Sequence, residues 1–329
     1  MSLKLVTRRR MAALLGTGGL LGAASAKAQA YPAKPVRIIV PFAPGGGSDV
    51  LARVAGQKLS PRWGQTIVVD NRPGAGGILG TGLVAKSAPD GYTLLISDSS
   101  AITMNPWLYR KLPYAAKDLT PVIHLATFSL VIMVPPTSPY RTLADLIAAD
   151  KAKPGSLNAG SAGNGTSPHL VLEMLNALAG TQFVHVPYKG GAPANTAFLS
   201  GELDVLFNGL SSNTAPLIAS GKARAIAVTT PERIAAFPDV PTVAESGFPG
   251  FDAVSGQTLF APAGTPAQIV QKLNDDIFTI LQEPDVVERW EASAFLPVVR
   301  QSPAELADWI ASESAKWGKI VEERNIRLD

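Results

Sequence analysis

Two stretches of this sequence set glycines directly before residues that start helices. The first runs Phe42, Ala43, Pro44, Gly45, Gly46, Gly47, Ser48, Asp49. The second, "GSAGNGTSPHL", places Gly160, Gly163, Asn164 and Gly165 ahead of Thr166, Ser167, Pro168 and His169. Ser48, Thr166 and Ser167 are good N-caps, Asp49 suits a first turn, and Pro168 suits the first helical position. First-turn N–H groups have no intrahelical partner and carry the positive end of the helix dipole. Bare glycine backbone lets an anion approach them. The chemistry offered is capture of a carboxylate without Arg or Lys.

Other glycine-rich chemistries fit less well. A dinucleotide fingerprint needs Gly-x-Gly-x-x-Gly, but Gly45-x-Gly47 leads to Val50, and no phosphate-loop Gly-Lys-Ser/Thr occurs. For one loop taken alone, a tight turn with positive φ is the plain alternative. Ala159-Gly160-Ser161-Ala162-Gly163 nearly matches the Gly-x-Ser-x-Gly nucleophile elbow. A hydrolase of that type needs an acid and then a histidine; Asp204 follows, but no histidine follows His185. A triad of another order through His124 or His185 stays open, so an exported serine hydrolase using Ser161 is one rival reading, and a module that presents its ligand to a sensor partner is another. The three histidines have no metal-ligand spacing and there is no cysteine, so neither a metal nor a cofactor is expected.

Single residues near the loops carry two readings each. His169 either contacts a ligand or holds its loop through a backbone group. Asp49 either caps the first turn or reads a ligand amine. Asp204, flanked by apolar residues, serves a hinge hydrogen bond or a ligand amine. Lys189 reads as a solvated amine.

The elements that must position these loops alternate strand and helix. "VRIIVPF" (36–42) and "TIVVDNRP" (66–73) read as buried strands, and Ser48 to Leu59 carries a helical apolar face. A helix over 76–87, a turn at Pro89-Asp90-Gly91 and a strand over 92–97 repeat the unit. "SLVIMVPP", "LNAGSAG", "FVHVPY", "LDVLFNG" and "ARAIAVTT" read as further strands, separated by helical stretches, with helices over 266–282 and 303–323 at the end. Alternation of this kind gives an α/β fold with mostly parallel or mixed sheets. Two lobes fit better than one sheet, with crossings expected near 126–133 and 250–260.

The N-terminus reads as an export signal over 1–30. Arg8, Arg9 and Arg10 precede an apolar stretch from Met11 to Ala26, and Ala28-Gln29-Ala30 is a small-x-small cleavage site. Thr7-Arg8-Arg9-Arg10-Met11 resembles a twin-arginine pattern. Removing the signal leaves 24 basic against 26 acidic side chains, so the basic balance of the full chain belongs to the leader. No basic stripe remains for nucleic acid, and no segment is apolar over the ~18 residues of a membrane span.

Eight further stretches carry a resemblance: "YPAKPVRIIVPFAPGGGSDVLAR", "VVDNRPGAGG", "APDGYTLL", "NPWLY", "GSAGNGTSPHL", "VPYKGGAPA", "GELDVLF" and "FAPAGTP". In this order across nearly the whole mature chain, they resemble the solute-binding proteins of tripartite tricarboxylate transporters, the Bug family. The resemblance implies a two-lobed periplasmic binding-protein fold of the type II kind. Its lobes would be 31–128 plus 253–329 and 129–252. It implies a small carboxylate held between the lobes by main-chain N–H groups and waters, no catalysis, and delivery to membrane subunits of a carrier. A monomer is expected. Carried over by position, Phe42 to Ser48 and Gly163 to Thr166 would form the two cradles. Ser97 to Ala101, with Asp98, Ser99 and Ser100, would face the ligand's distal end. Tyr188 to Gly191, including Gly190, with Asp204 and Asn208, would close the cleft. Two departures stand out. Asp98 replaces a small or hydroxyl residue, and either caps its loop on the rim or points inward toward an amino group. "SGQTLFAPAGTP" lacks an aromatic that often precedes Leu-Phe-Ala-Pro.

Overall fold

The computed structural model describes residues 31–296, 299–323 and 326–328; the export signal expected over 1–30 lies outside them. The first part of the chain folds as β1 (Val36–Val40), α1 (Gly47–Trp63), β2 (Ile67–Asn71), α2 (Ile78–Ala85) and β3 (Thr93–Asp98). Two short helices follow, α3 (Ser100–Thr103) and α4 (Asn105–Leu108), and then the long strand β4 (Leu119–Val134). Next come α5 (Leu143–Ala152), β5 (Asn158–Ser161), α6 (Ser167–Ala179), β6 (Val184–Pro187), α7 (Gly191–Leu199), β7 (Val205–Gly209), α8 (Ala215–Ala219) and β8 (Arg224–Val228). The chain ends with β9 (Val254–Pro262), α9 (Ala267–Leu281), α10 (Pro284–Ala292) and α11 (Pro303–Glu323).

The strands run in the order β2-β1-β3-β9-β4-β7-β5-β6, with β8 also paired to β4. β1 is parallel to β2 and β3, and β5 is parallel to β6 and β7. The central strands are antiparallel: β9 pairs with β3 and β4, and β4 pairs with β7 and β8. The apolar run of β1 is buried on both faces. Ile38 packs in one cluster with α1 and α9, and Ile39 in another with Ile78 and Ile310. Burial on both faces is why a parallel strand reads as continuously apolar.

β4 is the seam of the molecule. Up to Ser129 it pairs with β9, and from Leu130 it pairs with β7. Its side chains join three cores: Val122 and Leu125 on the β1 side, Leu130, Ile132 and Val134 with α6, and Val131 and Met133 with α7. α11 spans two of the cores. Leu306 and Ile310 pack near β3, while Trp317 and Val321 pack with α6 and β7. Among the described residues, no helix is long and apolar enough to cross a membrane.

Sequence reading missed the first half of β4, where Thr120, Pro121, His124 and Thr127 interrupt the apolar pattern. It also missed α10. The expected helix over 76–87 is shorter, because Ala75–Gly77 forms a 3-10 turn before α2 begins at Ile78.

Candidate functional site

Three helix N-termini open on one cavity. α1 brings Gly46, Gly47 and Ser48 to it, α6 brings Thr166 and Pro168, and α7 brings Gly191 and Ala192. None of the three helices has a side-chain cap. Among the described residues, no acceptor faces the amides of Gly47, Ser48, Ser167, Gly191 or Ala192, so these donors remain for an occupant. Strand residues complete the polar lining: Asp98 at the end of β3, Gln257 in β9, and Asn208 in β7. Phe42, Phe128 and Phe295 supply aromatic walls. The space at water centres is about 70 Å3, against roughly 10–15 Å3 for one water. That is room for several waters or one small molecule.

Among the described residues, no Lys, Arg or His lines the cavity, and Asp98 is the only ionisable group that does. Positive potential there comes from helix ends alone. Asp98 is 6 % exposed. Its Oδ1 accepts from Ser100 N–H at 2.9 Å, from Ser167 Oγ at 2.8 Å and from Ser255 Oγ at 3.0 Å. Burial pushes its carboxyl above the usual range, against the pull of those hydrogen bonds.

The expected site residues divide into two groups. Phe42, Gly46, Ser48, Asp98, Thr166 and Asn208 line the cavity. Ser48 Oγ lies 2.6 Å from Gln257 Oε1, and Asn208 Nδ2 donates to Asn195 Oδ1 at 2.9 Å, so both side chains are held in place. The rest hold the loops. Ala43 N–H donates to the Lys189 carbonyl at 3.0 Å, and Pro44 is exposed and lies outside the lining. Gly45, with φ +83°, donates its N–H to Asp49 Oδ2 at 2.9 Å, and its carbonyl accepts from Asn213 Nδ2. Asp49 is thus a loop clamp. Burial raises its carboxyl, but hydrogen bonds from Arg53 and Gly45 outweigh that and hold it below the usual range. Ser99 ties β3 to the Gly256 carbonyl through both N–H and Oγ, and the Ser100 N–H caps Asp98. Gly190, with φ +126°, packs on Phe42 just outside the lining. Asp204 Oδ2 accepts from Asn158 N–H at 2.8 Å beyond the cavity, joining the start of β7 to β5.

The second glycine loop is held from below by its histidines. Thr166 donates N–H and Oγ–H to the Gly163 carbonyl, and Gly165 N–H donates to His169 Nδ1 at 3.2 Å. His169 is buried, stacks on His185 with ring centres 3.9 Å apart, and stays away from the cavity. Ser161 Oγ hydrogen-bonds His185 Nε2 at 2.6 Å and accepts the Gly163 N–H at 3.0 Å. This serine–histidine contact is the one a hydrolase would need. Yet Ser161 has no exposed surface, and no carboxylate bonds to His185 among the described residues. Burial, and then the neighbouring His169, lower the His185 pKa to about 3. The pair acts as loop support.

The two halves of the site touch directly. Gly163 lies against Gly76 of the Gly74–Gly77 turn, and a side chain at Gly76 would run into the Asn164 carbonyl. Gly163, Asn164 and this turn border a smaller pocket beside the main cavity. Several lining residues lay beyond sequence reading. Ser211 and Asn213 follow β7, and the same strand-to-helix logic could have marked that loop. Phe128 and Phe295 carry no local signal.

The family model described as "Tripartite tricarboxylate transporter family receptor" matches residues 51–326. BugT of Bordetella pertussis is 39 % identical over 327 residues, covering 97 % of this chain and 98 % of BugT. The solved structure of the periplasmic binding protein BugD superposes with a TM-score of 0.85 at 31 % identity, covering 91 % of this chain and 100 % of that one. That of R. palustris Rpa4515 with adipate superposes with a TM-score of 0.85 at 33 % identity and the same coverage. The fold is therefore the two-lobed α/β fold of periplasmic binding proteins. The chain belongs to the tripartite tricarboxylate transporter receptor family, whose members are solute-binding receptors rather than enzymes.

Proposed function

We propose that this protein captures a small carboxylate in the cavity through the first-turn N–H groups of α1, α6 and α7. The observation that carries the reading is three uncapped helix N-termini around a cavity with no basic side chain among the described residues. Each helix end carries roughly half a positive charge, and its free donors satisfy carboxylate oxygens directly or through water. The adipate held by the Rpa4515 relative supports the ligand class.

In this reading, residues 31–128 with 253–329 form one lobe and 129–252 the other. The partner switch of β4 at Ser129/Leu130 and the start of β9 at Val254 support those boundaries. The contacts between Ala43 and Lys189 and between Gly76 and the second glycine loop belong to the closed form. A ligand favours that form by binding it better than the open one. The receptor works as a monomer in the periplasm after cleavage behind Ala30, and hands its ligand to the membrane subunits of a tripartite carrier. Export follows the twin-arginine-like signal.

The test is a thermal-shift screen of protein that has been unfolded and refolded to strip carried-over ligand. A carboxylate present at a hundred times its Kd adds about 2.7 kcal/mol. The expected result is a shift with one acid and none with its methyl ester. Equal shifts with acid and ester overturn the reading.

A further inference from the structure

Asp98 poses an electrostatic problem that the carboxylate reading leaves open. Among the described residues it is the only ionisable side chain lining the cavity, and it is 6 % exposed. Its Oδ1 takes hydrogen bonds from Ser100 N–H, Ser167 and Ser255, the Ser100 hydroxyl also bonds the carboxylate, and the residue lines the cavity. Among the described residues, no Lys, Arg or His lies within ion-pair distance of it. A buried carboxylate without a counter-charge is costly. Three donors on one oxygen nevertheless suit an ionised group.

The same cavity offers helix N-termini to an anion. A plain dicarboxylate would set its second carboxylate against Asp98. A molecule with one carboxylate and one ammonium group satisfies both features. The apolar surface of Phe42, Phe128 and Leu210 suits the short hydrocarbon between them.

We propose that the ligand is an amino-bearing carboxylate whose ammonium group is received by Asp98 while its carboxylate sits at the helix N-termini. This rests on the carboxylate reading above and narrows it. Asp98 then acts as a specificity determinant. Its serine partners Ser167 and Ser255 aim Oδ1 and so fix the direction of Oδ2.

The test is calorimetric titration of the ligand-stripped wild type and of Asp98→Asn. The probes are alanine, γ-aminobutyrate, aspartate and glutamate, each set against the acid without the amino group: propionate, butyrate, succinate and glutarate. In the wild type, at least one amino acid binds about 10- to 100-fold tighter than its counterpart, the worth of a charge-assisted hydrogen bond. Asp98→Asn removes that preference. If plain acids bind the wild type and no amino analogue binds tighter than its plain counterpart, the proposal is overturned while the carboxylate reading stands. A rise in a plain acid's affinity as pH falls would then identify Asp98 as a protonated donor. If neither set binds while another carboxylate gives a shift in the screen above, this proposal is overturned and the carboxylate reading stands; if no carboxylate binds in either experiment, both are overturned. The wild-type comparison decides even if Asp98→Asn does not fold.

Discussion

Gly76→Ala separates the closing of the lobes from the making of the site. Gly76 has φ +59° and ψ 26°, and an added Cβ would lie 2.8 Å from the Asn164 carbonyl carbon and nearer still to its oxygen. Carbon atoms settle at about 3.5–4.0 Å and a carbon–oxygen pair only a little closer, so the oxygen contact sets the limit and the turn and the second glycine loop must part by well over ~1 Å. Neither neighbour is a side chain that can rotate away. Overpacking of this kind costs about 1–3 kcal/mol, which at ~1.4 kcal/mol per tenfold is a roughly 5- to 150-fold loss of affinity. The left-handed backbone adds about 1 kcal/mol in open and closed forms alike, so it lowers stability without touching affinity. Gly64 isolates that second effect: its φ of 62° and ψ of 21° are nearly the same, and nothing lies within 4 Å of an added Cβ. Titration of both variants with the best carboxylate from the screen is the assay. Both should melt about 2 °C below wild type, and only Gly76→Ala should bind weakly. Wild-type affinity in Gly76→Ala would refute the idea that these two loops close together on the ligand.

Gly46→Val should fold, because its φ of −78° is open to any residue and its nearest non-local neighbour is 3.7 Å away. It should lose carboxylate binding by intruding on the α1 cradle; unchanged affinity counts against the cradle. Ser161→Ala strands the Gly163 N–H and should cost about 1–3 kcal/mol in a denaturation curve. It should change no ester turnover, since none is expected of the wild type. Ester hydrolysis that Ser161→Ala abolishes would contradict this. Stability should also fall in mild acid. Burial lowers the His124 pKa to about 4, against ~6.5 when unfolded. The stability this neutral ring contributes is complete above pH ~6.5 and drains as pH falls toward 4, about 1–2 kcal/mol by pH 5. His185 adds to the loss in the same direction. The melting temperature should drop between pH 7.5 and 5, and less so in His124→Asn; equal drops in both would remove His124 from the account.

What could be read in the sequence follows from how local each signal is. β1, β2 and the start of α1 announce themselves through β-branched runs, glycines and a polar first turn. So do α6, with Pro168 in its first turn, and α11. Of the residues expected at helix starts, Gly46, Ser48 and Thr166 line the cavity. Local reading could not tell which loop groups face inward. Ala43, Gly45 and Asp49 sit beside Gly46 in the chain but spend their hydrogen-bonding groups on Lys189, Asn213 and Arg53. Asp98 caps the Ser100 N–H as one reading expects, but it is buried in the cavity lining rather than on the rim. Phe128, Gln257 and Phe295 reach the site only because β4 and β9 pair antiparallel and bring distant segments together. No spacing along the chain encodes that.

The central claim is that helix ends, not basic side chains, hold a carboxylate in this cavity. The most direct measurement is a calorimetric titration of refolded protein with the best acid from the screen and with its methyl ester, at low and at high salt. The account predicts binding of the acid, loss of binding with the ester, and little change with salt, because enclosed dipoles are screened far less than surface charges. Binding of the ester as tight as that of the acid would contradict it.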